Sequence, residues 1–347
     1  MKFILFCQNP YAFGILEPIM QVLKEKNYDY LWFLPPNLSE KFPFQEEPHT
    51  FDIDELIAFK SDAILCPGNE VPYYLRGLKV QIFHGLAGEK KGHFRIRHYF
   101  DLYLTQGPYF TEKFKQLKRK YKNFEVIETG WPKLDIYGKD SEKYKSEKEE
   151  LLENFNASAI VLYAPTFSPS LTSAPFLLKE IERLAENKNY LVLIKFHDLM
   201  APETISQYKE LAGKIDNLIV EEEPNIVKFL LMADIMISDT SSVVYEFLLL
   251  NKPVITYRNN SKTILWDNAT EYRELPEKVI SNLEKDEYRE QRLKVIENYH
   301  PYNDGNSALR MVEAIENYIS AHGVPEKRKL SFLRRRKINS MFKSKKN

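Results

Sequence analysis

Short apolar runs of strand length alternate with amphipathic helical patterns from one end of the chain to the other, and this alternation restricts the fold more than any other feature. Strands that arrive singly between helices pair in parallel, and parallel sheets are covered by helices on both faces. The strand candidates are "KFILFCQ", "YDYLWFL", "DAILCP", "KVQIFH", "DLYLTQ" and "FEVIETG", then "AIVLYAPT", "YLVLIKFH", "NLIVEE", "ADIMISD" and "PVITY". Apolar residues at helical spacing run over Gly14 to Lys26, Pro108 to Arg119, Pro175 to Asn187 and Glu203 to Ala212. Two longer helical patterns, Glu274 to Tyr299 and Asn306 to His322, close the chain around the turn "HPYNDG". The expected fold class is therefore α/β, with two Rossmann-like domains. The charged stretch Gly138 to Ser158 separates the two sets of strands, which predicts an N-terminal domain over residues 1–150, a C-terminal domain over 151–325 and a tail over 326–347.

The chain has 347 residues, 44% of them apolar, enough to build a core in each domain. Its two cysteines, Cys7 and Cys66, lie in or just after apolar runs, so they read as small packing residues in a reducing compartment. The opening "MKFILFCQNPYAFG" lacks the long apolar stretch of a signal peptide. No segment approaches the roughly 18 uncharged apolar residues of a membrane span. The expectation is a cytoplasmic protein without a transmembrane helix.

Zero net charge conceals an asymmetry. Residues 327–347 hold ten Lys and Arg and no acid, which leaves 39 basic against 49 acidic residues in the rest of the chain. Leu330, Phe332, Leu333, Ile338, Met341 and Phe342 interleave with those cations. Such a tail suits either an anchor on an anionic membrane surface at the inner face of the cell membrane or a solvated, disordered segment. Nucleic acid is not expected as a partner, because the acidic body would repel phosphates beside the tail.

Two strand candidates end in histidine, "KVQIFH" at His84 and "YLVLIKFH" at His197. Ligands of open parallel sheets bind outside the carboxyl ends of the strands, where an imidazole can serve as acid or base near neutral pH. Gly85 and Gly88 follow His84 and suit a close turn around an anion. In "ADIMISDTSSVVYEFLLLNKPVITY", Ser241 and Ser242 stand at a helix start, where hydroxyls either cap the helix or hold a phosphate. Glu246 follows one turn later, within reach of a ribose. The Asp-x-Asp of "FDIDELIAF", Asp52 to Asp54, reads as an N-capped helix start, so no metal is expected, nor any other cofactor. His93 and His98 read as solvated, and His49, His300 and His322 lack a surrounding constellation.

Over roughly residues 78 to 321, "QIFHGLAGEKKG", "TGWPKLD", "LYAPTF", "LIKFH", "ADIMISDTSSVVYEFLLLNKPVI" and "NDGNSALRMVEAI" occur in an order and spacing that resemble the CDP-glycerol glycerophosphotransferase family of teichoic-acid-type enzymes. The resemblance implies a GT-B architecture, two Rossmann-like domains with a cleft between them, the acceptor on the N-terminal side and the nucleotide donor on the C-terminal side. It implies a transferase that moves glycerol phosphate or a similar polyol phosphate from a CDP-activated donor to a lipid-linked or polysaccharide acceptor in cell-envelope polymer synthesis, of teichoic acid or capsule type. His84 resembles the family's general base and His197 its second histidine, at the diphosphate or leaving group. Gly85, Leu86, Ala87, Gly88, Lys133, Pro165, Thr166 and Lys195 resemble positions around CDP-glycerol, and Ser241 with Ser242 the phosphate-binding pair. The chain departs from the pattern with Phe83 for Trp, Asp198 for Pro, Thr240 for Tyr and Glu246 for Asp. A GT-B glycosyltransferase using a nucleotide sugar, or an enzyme similar to UDP-N-acetylglucosamine 2-epimerase, would share most of these features.

Overall fold

The computed structural model of the protein describes residues 1–86, 92–139, 141–223 and 226–342. They fall into two compact units, Met1–Lys139 with Asn298–Asn347, and Asp140–Glu297. In the first, strands β1 (Lys2–Phe6), β2 (Asp29–Phe33), β3 (His49–Thr50), β4 (Ala63–Cys66), β5 (Leu78–Gln81), β6 (Leu102–Thr105) and β7 (Glu125–Glu128) form, among the described residues, a seven-stranded sheet in the order β3-β2-β1-β4-β5-β6-β7. In the second, β8 (Ala159–Tyr163), β9 (Tyr190–Lys195), β10 (Leu218–Glu221), β11 (Ile235–Ser238), β12 (Val254–Tyr257) and β13 (Asp267–Ala269) form a six-stranded sheet in the order β10-β9-β8-β11-β12-β13. All pairings are parallel.

The helices are α1 (Phe13–Glu25), α2 (Ile53–Phe59), α3 (Pro108–Tyr121), α4 (Ile136–Lys139), α5 (Lys145–Asn154), α6 (Ala174–Glu186), α7 (Pro202–Ala212), α8 (Ile226–Met232), α9 (Val243–Leu248), α10 (Leu275–Glu284), α11 (Arg289–Tyr299), α12 (Ser307–His322) and α13 (Phe332–Met341). Strands covered on both faces should read as unbroken apolar runs, and every residue of β4, β6 and β8 is buried. Each sheet is wound outward from its first strand and then resumed on the other side, so strand order reverses between β1 and β4 and again between β8 and β11. Those reversals are the places where such sheets open a ligand crevice.

Most strands and helices lie where the sequence predicts them. The edge strands β3 and β13 are absent from the expectation, because runs of two and three residues carry no periodicity. The pattern Glu274 to Tyr299 is broken into α10 and α11, with Asp286 in the left-handed region at φ 48° and its carboxylate paired to the buried Arg292. Asp52 caps α2 through its side chain, as expected. Lys252, which introduces β12, donates to the carbonyls of Leu231 and Ala233 at the end of α8, both at 2.6 Å. Cys7 and Cys66 are buried free thiols, and burial pushes Cys7 up to about 12.

The division of the chain differs from the expected 1–150, 151–325 and 326–347. The first unit ends at Lys139 and takes back everything after Glu297. The cause lies in α12, which packs on α1 and is capped by Asp135, whose carboxylate accepts from the amides of Ser307 and Ala308 at 2.8 Å each. The basic tail is also docked rather than solvated over its described part. Arg328 pairs with Asp101 and donates to the carbonyls of His98 and Asn123, both at 2.6 Å. Ile338 is 0% exposed, and the Phe342 ring lies 5.4 Å from that of Phe6. Phe332 and Leu333 remain exposed, at 69% and 77%. Among the described residues, no helix is long and apolar enough to cross a membrane.

Two histidines expected to lack a role are parts of the first core. The His93 ring stacks on Phe83 at 5.2 Å, and burial lowers its pKa to about 4. His300 accepts the Trp131 amide proton on Nε2 at 2.9 Å, and burial lowers its pKa to about 4 as well.

Ile338→Ala should destabilise the full chain by about 2–5 kcal/mol through the cavity it leaves, read as a lower urea midpoint; an unchanged midpoint would mean that the tail is not part of the core. His93 and His300 titrate near 4 when folded against 6.5 for an ordinary histidine, so the unfolded state binds more protons between those values. Stability should be complete above about pH 6.5 and fall as pH drops towards 4, and denaturation at stepped pH should show a shallower fall for His300→Gln.

Candidate functional site

In the first unit the carboxyl edge of the sheet is built from the loops after β1, β4, β5 and β6. Gln81, the last residue of β5, is buried, and its amide donates to the carbonyls of Cys66, Pro67 and Gly68 at 3.1, 3.2 and 2.8 Å. That pins the loop after β4 beside the loop after β5. Phe83 follows in the left-handed region at φ 61°, a conformation costing a bulky residue on the order of 1–3 kcal/mol. Its ring is held by Phe114 at 5.1 Å and by His93. The turn delivers His84 to the surface with Nδ1 at 3.0 Å from the Pro67 carbonyl. A carbonyl only accepts, so Nδ1 carries the proton of the neutral ring and Nε2 presents its lone pair.

The sequence assigns the close turn to Gly85 and Gly88, whereas among the described residues of this loop it is Phe83 that takes the left-handed conformation. Among the described residues, a Cβ at Gly85 would meet no atom within 4 Å, so this glycine adds no bulk beside the imidazole. Its carbonyl accepts from the buried Gln106 amide at 2.9 Å, and Leu86 is buried behind it. Ala87 and Gly88 lie outside the described residues. Lys133 stands after β7, with Nζ 5.6 Å from the centroid of the Trp131 ring.

In the second unit the site forms around the reversal between β8 and β11. Asp239, after β11, is fully buried, and its carboxylate accepts from the amides of Thr166 and Ser173 at 2.9 and 2.8 Å and from the Ser173 hydroxyl at 2.9 Å. Burial pushes its pKa up to about 6 against the opposing pull of those three bonds. The Asp of Asp-Thr-Ser-Ser thus ties Thr166, beside the buried Pro165, to the turn that carries the serines. The Ser241 amide donates to the Asp239 carbonyl at 2.9 Å. Ser242 occupies the N-cap position of α9 without a capping bond from its side chain, so the capping reading of the sequence does not account for its hydroxyl. Glu246 lies one turn into α9 and is buried.

His197 and Lys195 come from the neighbouring strand, β9. Lys195 is buried and donates to the Phe196 carbonyl at 2.9 Å. His197 is exposed, with its ring 4.4 Å from that of Phe167. Nδ1 accepts the Leu199 amide proton at 3.1 Å, which leaves the proton of the neutral ring on Nε2. Desolvation lowers its pKa and Lys195 adds to that, while Asp198 opposes it. The two strand-end imidazoles are therefore held as opposite tautomers: His84 offers a lone pair at Nε2, and His197 offers a proton there.

Two residues that the sequence did not single out reach the His84 loop. Gln106 does so through Gly85, and Tyr11 lays its ring against the imidazole, with centroids 5.2 Å apart. Both stand just past strand carboxyl ends, in "CQNPY" and "LTQG", and that position was their available signal. Among the described residues, no group of three or more His, Cys, Asp or Glu side chains is placed to hold a metal ion.

The comparisons with known proteins bear on both edges. The teichoic acid glycerol-phosphate primase of Bacillus subtilis is 28% identical over 241 residues, covering 63% of this chain and 58% of the primase. The teichoic acid ribitol-phosphate polymerase TarL of Staphylococcus aureus is 29% identical over 203 residues, covering 51% of this chain and 35% of that protein. The chain thus spans between about a third and three-fifths of these relatives' length. In fold it is similar to the wall teichoic acid polymerase TagF, at TM-score 0.61 and 16% identity over 92% of this chain and 89% of the other. It is similarly close to the S. aureus MnaA-UDP structure, at TM-score 0.67 and 15% identity over 92% and 97%. At these identities the likeness concerns the fold, α/β with two Rossmann-like parallel sheets of the GT-B type. Residues 84–317, a stretch that opens on His84 and takes in every site residue expected from the sequence, match the CDP-Glycerol:Poly(glycerophosphate) glycerophosphotransferase family, and the chain belongs to that family.

Proposed function

We propose that the chain transfers glycerol phosphate, or a similar polyol phosphate, from a CDP-linked donor to an acceptor hydroxyl of a lipid-linked or polysaccharide substrate in cell-surface polymer synthesis. The observation that carries this reading is the family match over residues 84–317, and each unit by itself adds one strand-end imidazole held in a defined tautomer. His84 Nε2 takes the proton of the acceptor hydroxyl as its oxygen attacks the phosphorus that bears the glycerol. A new P–O bond forms in line, the bond from that phosphorus to the bridging oxygen breaks, and CMP departs. His197 donates from Nε2 to the diphosphate or the departing phosphate. Ser241 and Ser242 hold the donor phosphates, with Pro165 and Thr166 alongside. Gly85 leaves room beside His84, Lys133 and Lys195 supply positive charge, and Glu246 faces the ribose.

The proposed work takes place at the cytoplasmic face of an anionic membrane. Ile338 and Phe342 are used in the core, so the membrane contact falls to the outer side of α13. There Phe332 and Leu333 are exposed together with Arg335 and Arg336.

Three measurements test these proposals. Incubation with CDP-glycerol, CDP-ribitol and UDP-sugars should raise the melting temperature with the cytidine donors, since a ligand that binds only the folded state stabilises it. His84→Ala should keep that rise while losing turnover by about 10²- to 10⁴-fold. A shift with uridine nucleotides alone would replace this reading by a nucleotide-sugar enzyme. Phe332→Ser with Leu333→Ser should leave the melting temperature unchanged and weaken sedimentation with phosphatidylglycerol vesicles; undiminished sedimentation would remove the membrane contact from α13.

A further inference from the structure

The strand-order reversal of the first sheet lies between β1 and β4, and the loops that follow those two strands meet on a single side chain, His84. From the β4 side comes the Pro67 carbonyl, at 3.0 Å from Nδ1. From the β1 side the chain leaves through Asn9 and turns at Pro10–Ala12, where the fixed φ of Pro10 starts a short 3-10 turn. That turn projects Tyr11 onto the imidazole, with ring centroids 5.2 Å apart and planes 31° from parallel. The Tyr11 hydroxyl accepts from the Asn9 amide at 3.2 Å, an exposed bond that the ring contact does not depend on. The third support is indirect: Gln106 fixes the carbonyl of Gly85, next in the chain, at 2.9 Å.

An edge contact to Pro67 leaves the imidazole free to swing about that one bond. A second ring packed beside it, tilted by 31°, restricts that swing and narrows the direction in which Nε2 points. The ring contact has a second effect. When Nε2 takes up a proton the ring becomes a cation, and an aromatic face within about 6 Å stabilises a cation where an aliphatic side chain does not. Among the described residues, three titratable groups near the ring are uncharged in the neutral range. His93, behind Phe83, stays neutral to about pH 4, burial raises the Tyr11 phenol above its usual value, and burial pushes the Cys7 thiol up to about 12.

We infer that Tyr11 is a positioning residue for His84: its ring fixes the imidazole in the orientation set by Pro67 and stabilises the imidazolium that forms as the acceptor hydroxyl is deprotonated. The inference rests on His84 being the base, and the experiment separates the two. In the full chain, Tyr11→Leu and Tyr11→Phe are compared by turnover of the CDP-polyol donor and by the NMR titration of the His84 ring in the absence of substrate. Tyr11→Leu should lower kcat about tenfold with the donor KM unchanged. It should also move the His84 midpoint, and the acidic limb of the pH–rate profile, a few tenths of a pH unit lower, in keeping with an exposed cation–π contact. Tyr11→Phe should restore all three. An unshifted His84 titration and unchanged kcat in Tyr11→Leu would overturn the inference, and so would a Phe variant as impaired as the Leu variant. If His84→Ala retains turnover while Tyr11→Leu still shifts the His84 titration, the base assignment fails and Tyr11 keeps only its hold on the ring.

Discussion

Parallel pairing is the constraint from which the rest of this structure follows. A strand paired in parallel with its predecessor must be reached by a crossover, so every strand leaves its sheet at the same edge. In each unit that edge collects the chemistry. His84, Gly85, Gln106, Lys133 and Tyr11 share one edge of the first sheet, and Thr166, Lys195, His197, Ser241 and Ser242 share one edge of the second. No single segment contains such a set. Winding brings together residues that the chain scatters over more than a hundred positions.

What holds these edges in shape is a small number of buried polar ties. The Gln81 amide satisfies three carbonyls of the loop after β4, and the Asp239 carboxylate satisfies two amides and a hydroxyl across the β8–β11 reversal. A buried acceptor that loses its donors costs about 1–3 kcal/mol, so these ties resist local rearrangement. The side chains that face solvent inherit that order. His84 owes its tautomer to Pro67, which Gln81 also holds, and the turn into the serines closes on the main-chain carbonyl of Asp239, whose buried carboxylate is tied to Thr166 and Ser173.

The strands were legible in the sequence because burial on both faces leaves unbroken apolar runs, and the two histidines were legible because each ends such a run. What escaped depends on contacts between distant segments. The edge strands β3 and β13 are too short to show a period. The tautomer of His84 is set by a carbonyl 17 residues earlier, and Tyr11 meets His84 only after the sheet has formed. The basic tail misled for a different reason. Its ten cations dominate the composition, while the informative signal is the single pair Ile338 and Phe342, four residues apart on one helical face and inserted in the core.

The first unit is assembled from two stretches of chain that flank the whole of the second. On the ribosome the second unit emerges as one uninterrupted segment and can close as soon as Glu297 is clear, since contiguous domains fold as they are completed. The first unit begins earlier and finishes later: its seven described strands are complete by Glu128, but the helices that follow Glu297 still have to pack on them. Until the closing residues are translated, α1 lacks the helix that packs on it and Phe6 lacks the ring of Phe342. The nascent protein therefore carries uncovered apolar surface on the Met1–Lys139 stretch while the second unit is being made, and that stretch is where a holding chaperone has most to bind.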